Sequence, residues 1–254
     1  MYAFHRTGIH ATRLLQSIGL FFVFFGHLCH SALIILFGNL RLTWSNVTRV
    51  LYHSGVQLVM PLALISGLLT VSVTINCYLL LTRFNLQHKT LSIIQDIITA
   101  DLVPVLIGFV LVIQSSLNLI NARIKITKRQ HSPEEVILDY VLPIMIGIGI
   151  AALLLYTYVM AAVAICLYLT FDYFYQVSAH EFIFQMAQSV TLDSVVYSIC
   201  KTLLYGNIVS LTAGYYYYQV AVSQIPIRRG VSCILTRGSS WLLLTGITLK
   251  FITN

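Results

Sequence analysis

The stretch VQLVMPLALISGLLTVSVTINCYLLL, residues 56–81, decides the fold, because it has no charged side chain and exceeds the ~20 apolar residues that a helix needs to cross a bilayer. A strand of a membrane barrel would need only about ten residues and would alternate apolar with polar positions. Here the apolar residues run on unbroken. In hydrocarbon the backbone N–H and C=O groups must be paired internally, and a helix does this within one segment.

Working outward, four further runs of this kind follow, at about 97–120, 136–169, 192–220 and 231–252. Of the 254 residues, 58% are hydrophobic and 9% charged, against about 25% charged in a soluble domain. Too little polar surface is available to hydrate the outside, so most of it faces lipid. The expectation is an all-α integral membrane protein forming a single domain over 1–254. Residues 49–254 make a bundle of five transmembrane helices. Residues 1–48 make an amphipathic N-terminal segment, which starts basic at Arg6 and Arg13 and turns apolar through LLQSIGLFFVFFGHLCHSALIILFG. Since His27 and His30 fall near the middle of that run, it reads as a helix lying in the interface or only partly inserted. Trp44 reads as an interfacial anchor.

Local signals refine the outline. Ser132 before Pro133, Glu134 and Glu135 predicts a helix N-terminus. In the third span, Pro143 and the run GIGIAA at 147–152 allow a kink or close packing. Polar connections are expected at TRFNLQHKTLSIIQD, 82–96, where Asp96 reads as solvent-facing, and around Asp172, His180 and Glu181. The tyrosines Tyr215 to Tyr218 read as an aromatic belt.

The net charge of +7 does not point to nucleic acid, because the cations sit in short clusters between apolar runs. With the N-terminus cytoplasmic, that side collects Arg6, Arg13, Arg41, Arg49, Arg123, Lys125, Lys128, Arg129, Arg228 and Arg229. The other side receives Arg83, Lys89 and Lys250. This asymmetry orients a short-looped protein and places the C-terminus outside. Asn46-Val47-Thr48 fits the glycosylation pattern but falls on the cytoplasmic side. The five cysteines lie scattered, mostly within apolar stretches, and imply no disulfide framework.

Catalytic signatures are missing. The chain has no GxxxxGK[ST] to hold nucleotide phosphates, and no HExxH, GxSxG or dinucleotide fingerprint. His27 and His30 share a helix face but lack the further ligands of a metal site. The sharper signals are ionisable residues within spans, which are costly in lipid and face a bundle interior or aqueous cavity. Asp101 lies near Pro104 in the second span, and Arg237 in the first third of the fifth. Asp193 and Lys201 are two turns apart on one face of the fourth. Lys201 lies about 13 Å along its helix, too deep for an interface, and is expected to face a polar cavity or an acidic partner.

From Arg49 onward the chain resembles the MlaE/YrbE family, permease subunits of ABC transporters that work with MCE-domain proteins. RVLYHSGVQLVMPLALISGLLTVSVTINCYLLLTRF is similar to that family's first transmembrane segment. DIITADLVPVLIGFVLVIQSS stands in the place of its RELGP segment, keeping Leu102 and Pro104 with Asp101 for Glu. SPEEVILDYVLPIMIGIGIAALLL resembles the opening of its next span. LDSVVYSICKTLLYGNIVSLTAGYYYYQ, with GVSCILTRGSS after it, resembles its closing helices.

The resemblance implies a homodimer in the bacterial inner membrane, with a separate ABC ATPase below each copy and an MCE-protein assembly outside. Phospholipid would enter a cavity between the copies. ATP and magnesium would belong to the ATPase, and this chain would carry no cofactor. Asp101, Pro104, Asp193, Lys201 and Arg237 are then the cavity candidates. Arg123, Lys125, Lys128, Arg129, Pro133, Glu134 and Glu135 are the candidate coupling element, although the stretch is shorter than the family pattern by a helical turn or two. Two other readings stay open. One is a non-transporting scaffold or anchor subunit, and the other a membrane enzyme using His27 and His30.

Overall fold

The computed structural model describes residues 22–30, 44–86, 90–126, 141–221 and 225–253. Every regular element among them is helical. We label α1 (22–30), α2 (Trp44–Thr82), α3 (90–126), α4 (Leu142–Tyr175), α5 (Ala179–Ser189), α6 (Leu192–Ala221) and α7 (Ile227–Thr253). The remainder of the 1–48 segment, the expected N-terminus at Ser132-Pro133 and the residues Lys128, Arg129, Glu134 and Glu135 lie outside the described residues. Arg123 and Lys125 fall on the last described turns of α3.

The helices α2, α3, α4 and α6 are long and apolar enough to cross a membrane. α7 has comparable length at 27 residues but carries Arg228, Arg229, Arg237 and Lys250, and does not reach the same apolarity. Their ends sort into two groups. Tyr78 stacks on Tyr175 with ring centres 3.7 Å apart, joining the C-terminal ends of α2 and α4. At the opposite end, Val50 of α2 lies against Gly147 of α4. Gly230 at the start of α7 lies against Leu119 late in α3, so these two helices run antiparallel. One end of the bundle therefore gathers the end of α2, the start of α3 and α5, and the other gathers the ends of α3 and α6 and the starts of α4 and α7.

α6 is the central post, packed against α3, α4 and α7, and α2 leans on α4 from outside. Its core positions Tyr205, Val209 and Ala213 are buried with Ile107 and Leu111 of α3, Leu155 of α4 and Leu242 of α7. The run GIGIAA provides the expected close packing. A methyl added at Gly147 would meet Val50 Cγ1 at 2.7 Å, and one added at Gly206 would meet Ala152 Cβ at 3.0 Å. Backbones this close gain dispersion contacts where the lipid offers no hydrophobic drive between helices.

Several expectations are corrected. α3 begins at Thr90, so LSIIQD is helix and Asp96 stands exposed on it rather than in a connection. α4 continues to Tyr175, which takes Asp172 into the helix. His180 and Glu181 belong to α5, a separate short helix. Its signature is local: Ser178 Oγ accepts the Glu181 N–H at 3.3 Å, a Ser-x-x-Glu start after Gln176 has stopped α4 at φ 52°. The tyrosine run is no belt. Tyr215 to Tyr218 are all buried, because α1, α3, α4 and α7 enclose α6 on every side at this level. Phe24 of α1 meets the rings of Tyr215 and Tyr218, both at 5.6 Å, and Tyr217 Oη donates to Ser115 O at 3.2 Å.

Candidate functional site

α3 does not enter the bundle as a regular α-helix. Residues 97–102 form a π-helical turn, followed at once by Pro104. Proline has no N–H, so Ala100 O, four residues earlier, loses its usual donor, and a π-turn shifts the neighbouring pairings by one. A buried carbonyl without a donor is costly in lipid. The adjacent helix supplies the donors: Ser198 Oγ donates to Thr99 O at 2.5 Å, and Lys201 Nζ to Ala100 O at 2.9 Å.

The same ammonium makes the central ion pair, with Lys201 Nζ 2.7 Å from Asp101 Oδ1. The other carboxylate oxygen, Oδ2, accepts from Lys250 Nζ of α7 at 2.8 Å. One carboxylate thus joins three helices, with two ammonium groups against it. The three differ in access, since side-chain exposure is 3% for Lys201, 38% for Asp101 and 56% for Lys250. Lys201 is sealed inside, and the Asp101–Lys250 side opens at the surface of the bundle. The Lys201 ammonium also lies 5.5 Å from the ring centre of Tyr197. Beneath the cluster, Tyr205 Oη sits buried where Gly246 leaves it room.

Of the five cavity candidates, the structure brings Asp101, Pro104 and Lys201 together. Lys201 meets the acidic partner expected for it. Asp193 stands exposed on the first turn of α6, two turns above Lys201, so their common face leaves the bundle at its end. Arg237 is exposed on α7, its guanidinium 5.8 Å from the ring centre of the buried Tyr216, apart from the Asp101 cluster. Sequence reasoning sets Lys250 among the cations of the outer side and misses it as a site residue. An antiparallel α3–α7 pair is the signal that could have found it, since this puts the end of α7 beside the beginning of α3. Among the described residues, no group of three His, Cys, Asp or Glu could hold a metal, and none joins His27 and His30.

A second π-turn, Tyr52–Val56, precedes Pro61 in α2 and is met in the same way from α3. Gln114 Nε2 donates to His53 O and Asn118 Nδ2 to Ser54 Oγ, both at 2.9 Å. In each case a distorted turn on the N-terminal side of a proline is pinned by polar side chains of a neighbouring helix.

No curated protein matches the chain. The family described as Permease MlaE matches residues 47–231, which runs from the first turn of α2 through α6, takes in both π-turns, and ends at the start of α7. The apolar helices and this match, over well over half of the chain, make it a multi-pass membrane permease of the ABC-transporter type that partners with an ATPase: the chain belongs to the MlaE permease family.

Proposed function

We propose that this chain is the lipid-moving permease of its transporter, working as a homodimer in a bacterial inner membrane between an ABC ATPase and an MCE-domain assembly. The observation that carries the reading is the Asp101 cluster, a charged site that opens at the surface of a mostly apolar bundle. Phospholipid asks for this combination: apolar walls for two acyl chains and a small polar group for the headgroup. With Lys201 sealed as the pin between α3 and α6, the headgroup role passes to Asp101 and Lys250, whose ammonium would meet the phosphate while the carboxylate balances the charge.

A second feature supports the dimer. Arg237 is exposed on α7 beside Ser232, Thr236 and Ser240; the Thr236 and Ser240 hydroxyls bond carbonyls of their own helix, but a guanidinium at membrane depth is covered by protein or water rather than lipid. A second copy placed against α7 would cover this side and leave Arg237 beside the shared cavity, with Asp193 at its mouth. The basic segment from Arg123 to Arg129, leading into Pro133, Glu134 and Glu135, is the proposed ATPase contact on the cytoplasmic side. ATP binding there would favour a closed dimer and expel the lipid, a shift between two conformations.

Purification with the ATPase, followed by transfer of fluorescent phospholipid between proteoliposomes and acceptor vesicles, tests the reading. The expected result is ATP-dependent transfer that falls several-fold in Lys250→Ala with the complex intact. Replacing Arg123, Lys125, Lys128 and Arg129 by Ser is expected to release the ATPase. A complex that binds ATPase but transfers no lipid under any condition would favour the scaffold reading instead.

A further inference from the structure

α5 has a face that the bundle does not use. Phe182 is buried and Met186 half-buried, Phe182 meeting the rings of Tyr168 and Phe171 on α4 at 5.5 Å and 5.9 Å. α5 also packs on the first turns of α3. Turning the helix by about 100° per residue sets two different flanks on either side of that packed edge. One carries Ile183 and Ala187, four residues apart, with the exposed His180 on the same side at the helix start, where its ring can reach the headgroups. The other carries Glu181, Gln185 and Gln188, with Gln185 Nε2 donating to Glu181 Oε1 at 3.4 Å. Phe184 lies opposite the packed edge. Ile183 is 66% exposed and Phe184 58%, a heavy apolar load for a helix of 11 residues.

Its tethers fix its level. Residues 176–178 connect it to α4 and residues 190–191 to α6, and a chain reaches at most ~3.5 Å per residue. α5 therefore cannot rise more than about 10 Å from the ends of two membrane-crossing helices. That is the depth of the headgroup layer, where one side of a helix is wet and the other apolar. The helix ends on either side also carry exposed apolar residues: Tyr173 and Phe174 end α4, and Val190 and Leu192 lead into α6.

We propose that α5 is an interfacial helix whose Ile183, Phe184 and Ala187 side enters the lipid leaflet at that end of the bundle, with Glu181, Gln185 and Gln188 facing water. The occupant of this face is the bilayer itself. Held by short tethers to two spans whose own ends expose Tyr173, Phe174 and Leu192, this side of the helix has acyl chains within reach. The inference requires only that α4 and α6 span the membrane, so it stands or falls independently of lipid transport.

Single cysteines at Ile183, Phe184, Glu181 and Gln188, in a full-length chain with its five native cysteines replaced, would be labelled with bimane in phosphatidylcholine nanodiscs. Quenching by doxyl groups near the acyl-chain start should be several-fold stronger at 183 and 184 than at 181 and 188, with the reverse order for aqueous iodide. Equal iodide access at all four positions would overturn the proposal. So would protection of 183 and 184 that appears only after a partner protein is added, which would make the face a protein contact. Should the labelled chains not fold, acyl-diazirine phosphatidylcholine applied to the unmodified chain decides the matter: cross-links at Ile183 and Phe184 support insertion, and cross-links on the neighbouring spans without α5 overturn it.

Discussion

Asp101 is the residue on which three helices converge, so its charge is worth more than that of other acids nearby. Asp101→Asn keeps the shape but leaves the Lys201 ammonium sealed without a counter-charge. The expected loss is about 3 kcal/mol, at the low end for a buried pair because Asp101 is itself partly exposed. Asp96→Asn, one turn and a half earlier and exposed, should change stability by less than about 0.5 kcal/mol. Thermal unfolding of the two variants in the same detergent checks this, and equal shifts would show that the pair contributes nothing. Lys201→Met falls between them. It strips Ala100 O of its donor, at about 1–3 kcal/mol, while Lys250 still holds the carboxylate. At this scale the sequence is half legible: charged residues inside apolar runs announce Asp101 and Lys201. What it hides is Lys250, whose partner lies 149 residues away and is set by packing order alone.

Among the elements, the long spans are legible from length and apolarity, while their ends are not. α3 starts seven residues before the expected position, because the polar letters of 90–96 alternate around a helix that packs on α5 and α2. α5 is hidden because eleven residues of mixed character do not look like a span, although Ser178 and Glu181 mark its start. Glycine placement gives a test of how the helices meet. Gly147→Ala would drive a methyl to 2.7 Å and 2.9 Å from Val50 Cγ1 and Cβ, atoms too near the backbone to swing aside. Separation of α2 from α4 should cost about 1–3 kcal/mol. Gly149→Ala meets open space, two residues along the same helix, and should be neutral or stabilising by up to ~1 kcal/mol. Chemical denaturation of the pair in mixed micelles would show it, and similar midpoints for both would mean that α2 does not sit on Gly147.

For the molecule as a whole, alternation of helix ends makes a prediction about sidedness. Cysteines replacing Lys125 and Arg228 should react with an impermeant maleimide from one face of the membrane, and those replacing Arg83 and Glu181 only from the other. Reaction of 125 and 228 from opposite faces would break the helix order described above. The crossing pattern is readable because lipid leaves a chain few choices, whereas the place of α6 as the central post is not. Its tyrosines look amphipathic in one dimension, and only the surrounding helices make them core.

The two π-turns carry one more consequence. Each is equivalent to a single extra residue inserted into a regular spiral. Deleting Ala100 would let α3 close into ordinary winding while the residues on either side kept the faces they have now, because the bulge already absorbs the extra residue. The loss of one residue from the regular winding between 105 and 110 would instead turn the preceding segment by about 100°, so that Leu91, Ile94 and Ile98, now buried, would swing toward the bilayer and Ile93 and Ile97 would turn inward. A single lost letter is thus absorbed inside the π-turn, whereas the same loss a turn or two later would act as a screw turned by about a quarter.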